Sequence, residues 1–231
     1  MVTDSDDPLR DALPDAIAAG GLALAASGSP IAAFLSGMTP IVTKALGLAM
    51  GEWSTAANKR AEALLHETAD AMGGEQAMAE AINSNPTRRE LTADTVVASA
   101  KVRLPSGVRA MGRALAEGLL HDGTPPDVAR FTIEALQAIQ PIDAAVLDRI
   151  SQIDGTSPND MRVAMPHFVP VLPQILARLN REGLIEENPP KNVIASPGGP
   201  PNAYRLTLFG RSALDRLHDA GYDGASDALD A

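Results

Sequence analysis

Cysteine is absent from the 231 residues. That excludes disulfides, thiolate zinc sites and a cysteine nucleophile. Aromatic side chains make up only 3% of the chain, so Ala, Leu, Gly and Val must do the packing. The four histidines, His66, His121, His167 and His218, lie far apart. They form neither HExxH nor an i, i+4 pair that could chelate a metal. The glycine pairs at 20–21, 73–74 and 198–199 carry no Walker or dinucleotide pattern and read as breaks. Ser27, Ser36 and Ser106 lie near glycines, but the G-x-S-x-G of a nucleophile elbow does not occur. Internal repeats, coiled-coil heptads and low-complexity blocks are also missing. The opening MVTDSDDPLRD is acidic, whereas a secretory signal needs a basic flank before an apolar stretch such as AIAAGGLALAAS, 16–27. The expected location is therefore cytoplasmic.

The residues that are present favour packed helices. Hydrophobic residues form 45% of the chain, enough for a real core in one large domain or two small ones. Residues 1–15, rich in Asp and broken by Pro8 and Pro14, read as a flexible acidic N-terminus. Residues 16–51 form an apolar, Gly-rich tract whose only charge is Lys44. Its longer half, Ile31 to Met50, has bilayer-spanning length but contains Pro40, Lys44, Gly37 and Gly47. A buried or oligomer-facing helical hairpin is the first reading, and contact with a membrane surface the second. An all-helical domain is expected over 16–140. An amphipathic helix over 52–72 places Trp53, Ala57, Ala61, Leu64, Leu65, Thr68 and Met72 on one face and stops at Gly73-Gly74. A short helix over 75–83 leads to a turn at Asn83-Ser84-Asn85-Pro86. Helices at 88–103 and 106–121 follow, the second opened by Pro105 and lined by Val108, Met111, Leu115 and Leu119. Thr124-Pro-Pro-Asp127 has the order of a cap, a first-turn proline and an acid. The helix it opens, 125–139, is expected to bury Val128, Phe131, Ala135, Leu136 and Ile139. Pro141 opens 142–153, with Ile142, Val146, Leu147 and Ile150 inward.

The C-terminal third has a different pattern. Residues 154–165 form a polar loop or short helix. A helix over 168–182, irregular at first because of Pro166, Pro170 and Pro173, packs Val171, Leu172, Ile175, Leu176 and Leu179. Gly183 turns the chain into a strand that starts at Leu184-Ile185. A Pro/Gly-rich wing follows over 188–202. A strand then places Tyr204, Leu206 and Leu208 on one face and ends at Gly210. A last helix holds Leu214 and Leu217 and fades at Gly221, and 221–231 is a polar tail. The string GLI, loop, Y-R-L-T-x-x-G-x-x-x-L resembles the end of winged-helix regulators of the MarR and PadR kind. It is carried by Gly183, Leu184, Ile185, Tyr204, Leu206, Thr207, Gly210 and Leu214. The expected fold is thus mainly α: a helical N-terminal and middle region, then a small winged-helix (α+β) module over 141–220. The whole arrangement, with Leu179 added to those residues, is similar to the Abi-alpha family of abortive-infection proteins. That resemblance implies a bacterial phage-defence role or a prophage origin, and it supplies no catalytic residue.

Charge weighs on function. Net charge is −10, which opposes non-specific nucleic-acid binding by the chain as a whole. Residues 162–218 carry seven Lys/Arg against four Asp/Glu, while the remainder carries 12 against 25. The module is the basic part of an acidic protein. Gln174, Arg178 and Arg181 form a row on one helix face and, with Lys191 and Arg205, are the candidate DNA contacts. Leu119-Leu120-His121-Asp122-Gly123 looks like the core of HD-type metal phosphohydrolases, with His66 and Asp143 or Asp148 as conceivable partners. The residues that follow, Thr124-Pro125, depart from that motif, and a helix end closed by Gly123 accounts for it. The expectation is a non-enzyme with no cofactor, no metal and no catalytic residue. It would be an interaction or effector protein acting through a protein partner or a homo-oligomer. The alternatives are a DNA-binding transcriptional regulator and an effector that associates with membranes through residues 16–51.

Overall fold

A computed structural model describes residues 55–120, 124–152, 156–188 and 203–224. The expectations for residues 1–54, Trp53 among them, for His121–Gly123, for 153–155, for the wing from 189 to 202 and for the tail beyond 224 lie outside these. Among the described residues the protein is mainly helical, with one two-stranded sheet. The helices are α1 (Thr55–Met72), α2 (Glu75–Ser84), α3 (Pro86–Ser99), α4 (Pro105–Leu119), α5 (Pro126–Ala138), α6 (Pro141–Gln152), α7 (Pro158–Ala164), α8 (Leu172–Arg181) and α9 (Leu208–Asp219). The strands are β1 (Ile185–Asn188) and β2 (Ala203–Leu206). Two compact units divide them. The first holds the described parts of 1–101 and 111–133, and the second holds 102–110 and those of 134–231.

In the first unit, α1 buries Ala57, Ala61, Leu64, Leu65 and Thr68, the stripe that helical spacing predicts. Gly73 and Gly74 end it with φ of 85° and 132°. The turn expected over Asn83–Pro86 contracts to one residue. Asn83 and Ser84 stay helical, and Asn85 serves as both the last cap of α2 and the first cap of α3. Its extended backbone suits a residue before proline. Its Oδ1 accepts the Thr87 N–H at 2.8 Å, and Pro86 sits where no N–H donor is needed. Helix α3 buries Thr92, Thr95 and Ser99. Each hydroxyl donates to a carbonyl three or four residues back, at 2.6–2.8 Å, so none of these three buried hydroxyls is stranded.

Helix α5 corrects a prediction. Val128 and Phe131 are 52% and 58% exposed, whereas Ala129 and Ile133 are buried. Ala135, Leu136 and Ile139 are buried as expected, so the departure is confined to the first half of the helix. The cause is close approach at Gly118 of α4. A Cβ built on Gly118 would lie 2.7 Å from the Ala129 Cβ, so only a small residue fits opposite it. The expected face weighted the largest side chains, but the contact selected the smallest.

In the second unit, α6 buries Ala144, Ala145, Val146, Leu147 and Ile150, with Ile142 only half-buried. Helix α7 opens with a reciprocal cap: the Ser157 hydroxyl accepts the Asp160 N–H, and the Asp160 carboxylate accepts the Ser157 N–H. A 3₁₀ turn, Pro166–Phe168, occupies the expected irregular entry, and α8 starts only at Leu172. Val171 therefore stays outside the helix and is exposed rather than packed. Strands β1 and β2 pair antiparallel from Ile185↔Leu206 to Asn188↔Ala203. Thr156 adds a single antiparallel bridge on Tyr204, with N–H to carbonyl bonds of 3.1 and 2.9 Å.

Two further expectations change at the start of α9. Leu208 does not continue the strand; it begins the helix and is 89% exposed. Alternation stops because Thr207 is a cap, its Oγ1 accepting the Gly210 N–H at 2.9 Å. Gly210 does not end a strand but lies buried in the first turn of α9. A Cβ there would fall 1.8 Å from the Leu184 carbonyl oxygen, so the helix meets the chain after Gly183 backbone to backbone.

Candidate functional site: the outer side of helix α8

Helix α8 is strongly two-sided. Leu172, Ile175, Leu176 and Leu179 are buried, while Pro173, Gln174, Ala177, Asn180 and Arg181 are exposed. Beside it lies a groove of about 360 Å³, lined by Pro158 and Arg162 of α7, Leu172, Pro173, Leu176, Ala177 and Asn180 of α8, Glu187 of β1 and Tyr204 of β2. Its floor is aliphatic and its border polar. The Arg162 guanidinium donates to Asn159 Oδ1 at 3.3 Å. The Tyr204 hydroxyl donates to Glu187 Oε1 at 3.4 Å. Burial, and then the nearby Glu187 charge, hold the Tyr204 phenol above its ordinary pKa. At the mouth of α7, hydrogen bonds from the Ser157 hydroxyl and backbone hold the Asp160 carboxyl below its ordinary range.

The candidate DNA contacts fare differently from one another. Gln174 and Arg181 point outward, Arg181 with Glu182 at 3.6 Å. Arg178, expected on the same outward row, instead binds the carboxylate of Asp143, which is 1% exposed. Arg205 pairs with Glu186 across the two strands at 2.7 Å. Lys191 lies outside the described residues. The structure does not gather these side chains into a bare cationic row. Asp143 also accepts the Gln140 N–H at 2.8 Å through its other oxygen, so it caps α6 and anchors α8 together. Asp143, by sequence a conceivable metal partner, thus has a structural task. Its signal in the sequence is an acid set in the otherwise apolar run Pro141-Ile142-Asp143-Ala144-Ala145-Val146-Leu147, where a charge needs a partner.

The motif residues have packing and turning tasks. Leu179, Leu184, Ile185 and Leu206 are buried, and Gly183 has φ of 70°. Thr207 Oγ1 donates to the Gly183 carbonyl at 2.6 Å. Of the residues considered for metal chemistry, His66 contacts Asp70 at 3.5 Å on an exposed helix face. Asp143 is taken by Arg178, and Asp148 faces His218 at 3.4 Å. Among the described residues no three His, Asp or Glu side chains converge as a metal would require, and no helix is long and apolar enough to cross a membrane. No family model, curated protein or solved structure matches the chain.

Proposed function

We propose that this chain is a non-enzymatic interaction protein whose second unit is a winged-helix-type module used for protein contact or assembly. Support for the module comes from element order: α6, the Thr156 bridge, α7, α8, β1, β2, α9. In a winged helix, α8 would be the recognition helix. The observation that carries the contact reading over DNA reading is the fate of its cations. Arg178 is bound to a buried carboxylate and Arg205 to Glu186, while the exposed side of α8 offers Pro173, Gln174, Ala177 and Asn180 with Arg181 as its one outward cation. A charge neutralised within the protein releases no counterions from a phosphate backbone.

Fluorescence anisotropy with labelled random-sequence and genomic duplexes tests this at low salt. The expected result is no binding up to about 10 µM, where ordinary non-specific affinity would already register. Binding that weakens steeply with added salt would make the protein a DNA reader through Gln174, Arg181 and Lys191. The phage-defence role implied by the Abi-alpha resemblance rests on Leu179, Gly183, Leu184, Ile185, Tyr204, Leu206, Thr207 and Gly210. Phage plating efficiency with and without the expressed chain tests it. Association with membranes through 16–51 is the separate alternative; liposome flotation of the full chain against one lacking 16–51 addresses it, and equal flotation removes that tract.

A further inference from the structure

Little holds helix α2 in the first unit. It packs against both α1 and α3, yet of its ten residues only Met78 and Ile82 are buried. They lie one turn apart, on one side of the helix. Its polar links stay local. Gln76 bonds Glu80, and Ser84 Oγ donates to the Ala81 carbonyl, both within the helix. Among the described residues one side-chain bond leaves it, from the Arg88 guanidinium to Ser84 Oγ at 3.2 Å, at its last residue. Both ends of α2 are joints whose bonds serve its neighbours. The Gly73 and Gly74 N–H groups donate back to the Asp70 and Ala69 carbonyls of α1, at 3.3 and 2.8 Å. A Cβ built on either glycine would meet nothing within 4 Å, so no side chain crowds that link. Gly74 also offers no side-chain cap to α2. At the other end the Asn85 side chain caps α3, not α2. Helices α1 and α3 therefore keep their own ends whether or not α2 is formed. A helix of this length does not persist alone in water, where even about 12–15 residues are marginal. Seating of Met78 and Ile82 and formation of α2 are thus one event: once both side chains leave, nothing else supports the helix.

We propose that α2 is a gate in the first unit. It opens as one piece, by local melting between Gly73-Gly74 and Asn85, while α1 and α3 stay folded. Each opening bares the apolar faces of α1 and α3 that Met78 and Ile82 otherwise cover. The inference concerns the first unit alone and does not depend on how α8 is used.

Residue-resolved native-state hydrogen exchange on the full chain, by NMR at constant pH, provides the test. The α2 amides from Met78 to Ser84, corrected for intrinsic rates, should exchange at least about a hundredfold faster than those of 64–69 in α1 and 91–96 in α3, and low urea should barely change them. They should also share one opening constant. Ile82→Ala should raise that constant about tenfold or more, by the same factor for every α2 amide, and leave α1 and α3 within about threefold. Ile82→Val should raise it about twofold to tenfold and serves if the alanine variant does not fold. Exchange of α2 in step with α1 and α3, in the original chain or in a variant, overturns the proposal, because α2 then melts only with the whole unit. Protection that falls away from a slow middle toward both ends of α2, indifferent to the change at Ile82, overturns it as well, because the helix then frays and does not open as one piece.

Discussion

The two units solve packing in different ways. In the first unit, α1, α3 and α4 bury Leu64, Leu91, Met111, Leu115 and Leu119, and the buried hydroxyls of α3 turn back on their own helix. Helix contact there is set by small residues, as at Gly118 and Ala129. In the second unit the decisive contacts are individual. Asp143 holds Arg178, Thr207 caps α9, and Gly210 lets α9 touch the Leu184 carbonyl. Periodic apolar packing spreads stability over many replaceable contacts, whereas single polar and steric contacts concentrate it. Substitutions should therefore be graded mildly in the first unit and sharply in the second.

The largest effect is expected at Gly210. Gly210→Ala places a Cβ on a backbone oxygen that no rotamer change can move, and should cost about 4 kcal/mol or more in urea unfolding. Gly118→Ala presses on the Ala129 methyl and the movable end of Leu91, so about 1–3 kcal/mol is expected. Equal costs would erase the contrast between the units. Next comes Arg178→Ala, which strands the Asp143 carboxylate in the interior and should cost about 3 kcal/mol. Its neighbour Arg181→Ala should stay within about 0.5 kcal/mol. If Arg181 costs as much as Arg178, the row acts as one surface and the buried pair is not what matters. Removing the cap with Thr207→Ala should cost about 1 kcal/mol. In the first unit, exposed Val128→Ser should change stability by less than about 0.5 kcal/mol.

The smallest effect is a titration. Tyr204 is held above its ordinary pKa by burial and by Glu187. Its neutral form is the one favoured by folding, so its contribution is full below the ordinary phenol range. That contribution is lost as pH rises through the raised value. Absorbance at alkaline pH should show an ionisation step above the ordinary phenol range that is missing in Tyr204→Phe. Glu187→Gln should bring that step only part of the way back, because burial is the larger cause. A full return would make the groove wetter than its aliphatic floor implies.

Much of the helical unit was legible, because amphipathic spacing and helix-ending glycines and prolines act locally. Leu64, Leu65 and Thr68, and Met111, Leu115 and Leu119, are buried where periodicity puts them. Val128 and Phe131 were misread because hydrophobicity ranks side chains by size, while the space opposite Gly118 admits only a methyl. Leu208 was misread because alternation cannot tell a strand residue from one that follows a cap. Arg178 was misread because a helical wheel shows which residues share a face but not what another helix sets against it.

The sequence by itself determined that this protein would be mainly helical, free of thiol chemistry, and built with a short strand pair between two helices near its end. Those properties follow from composition and from patterns within about a dozen residues of chain. Only the tertiary structure decided that Arg178 serves Asp143, 35 residues away, and that Gly210 is required by the Leu184 carbonyl. It also brought Arg162 and Glu187 to the border of one groove. Those outcomes depend on distances between elements remote in sequence, and such distances are fixed only when the whole unit packs.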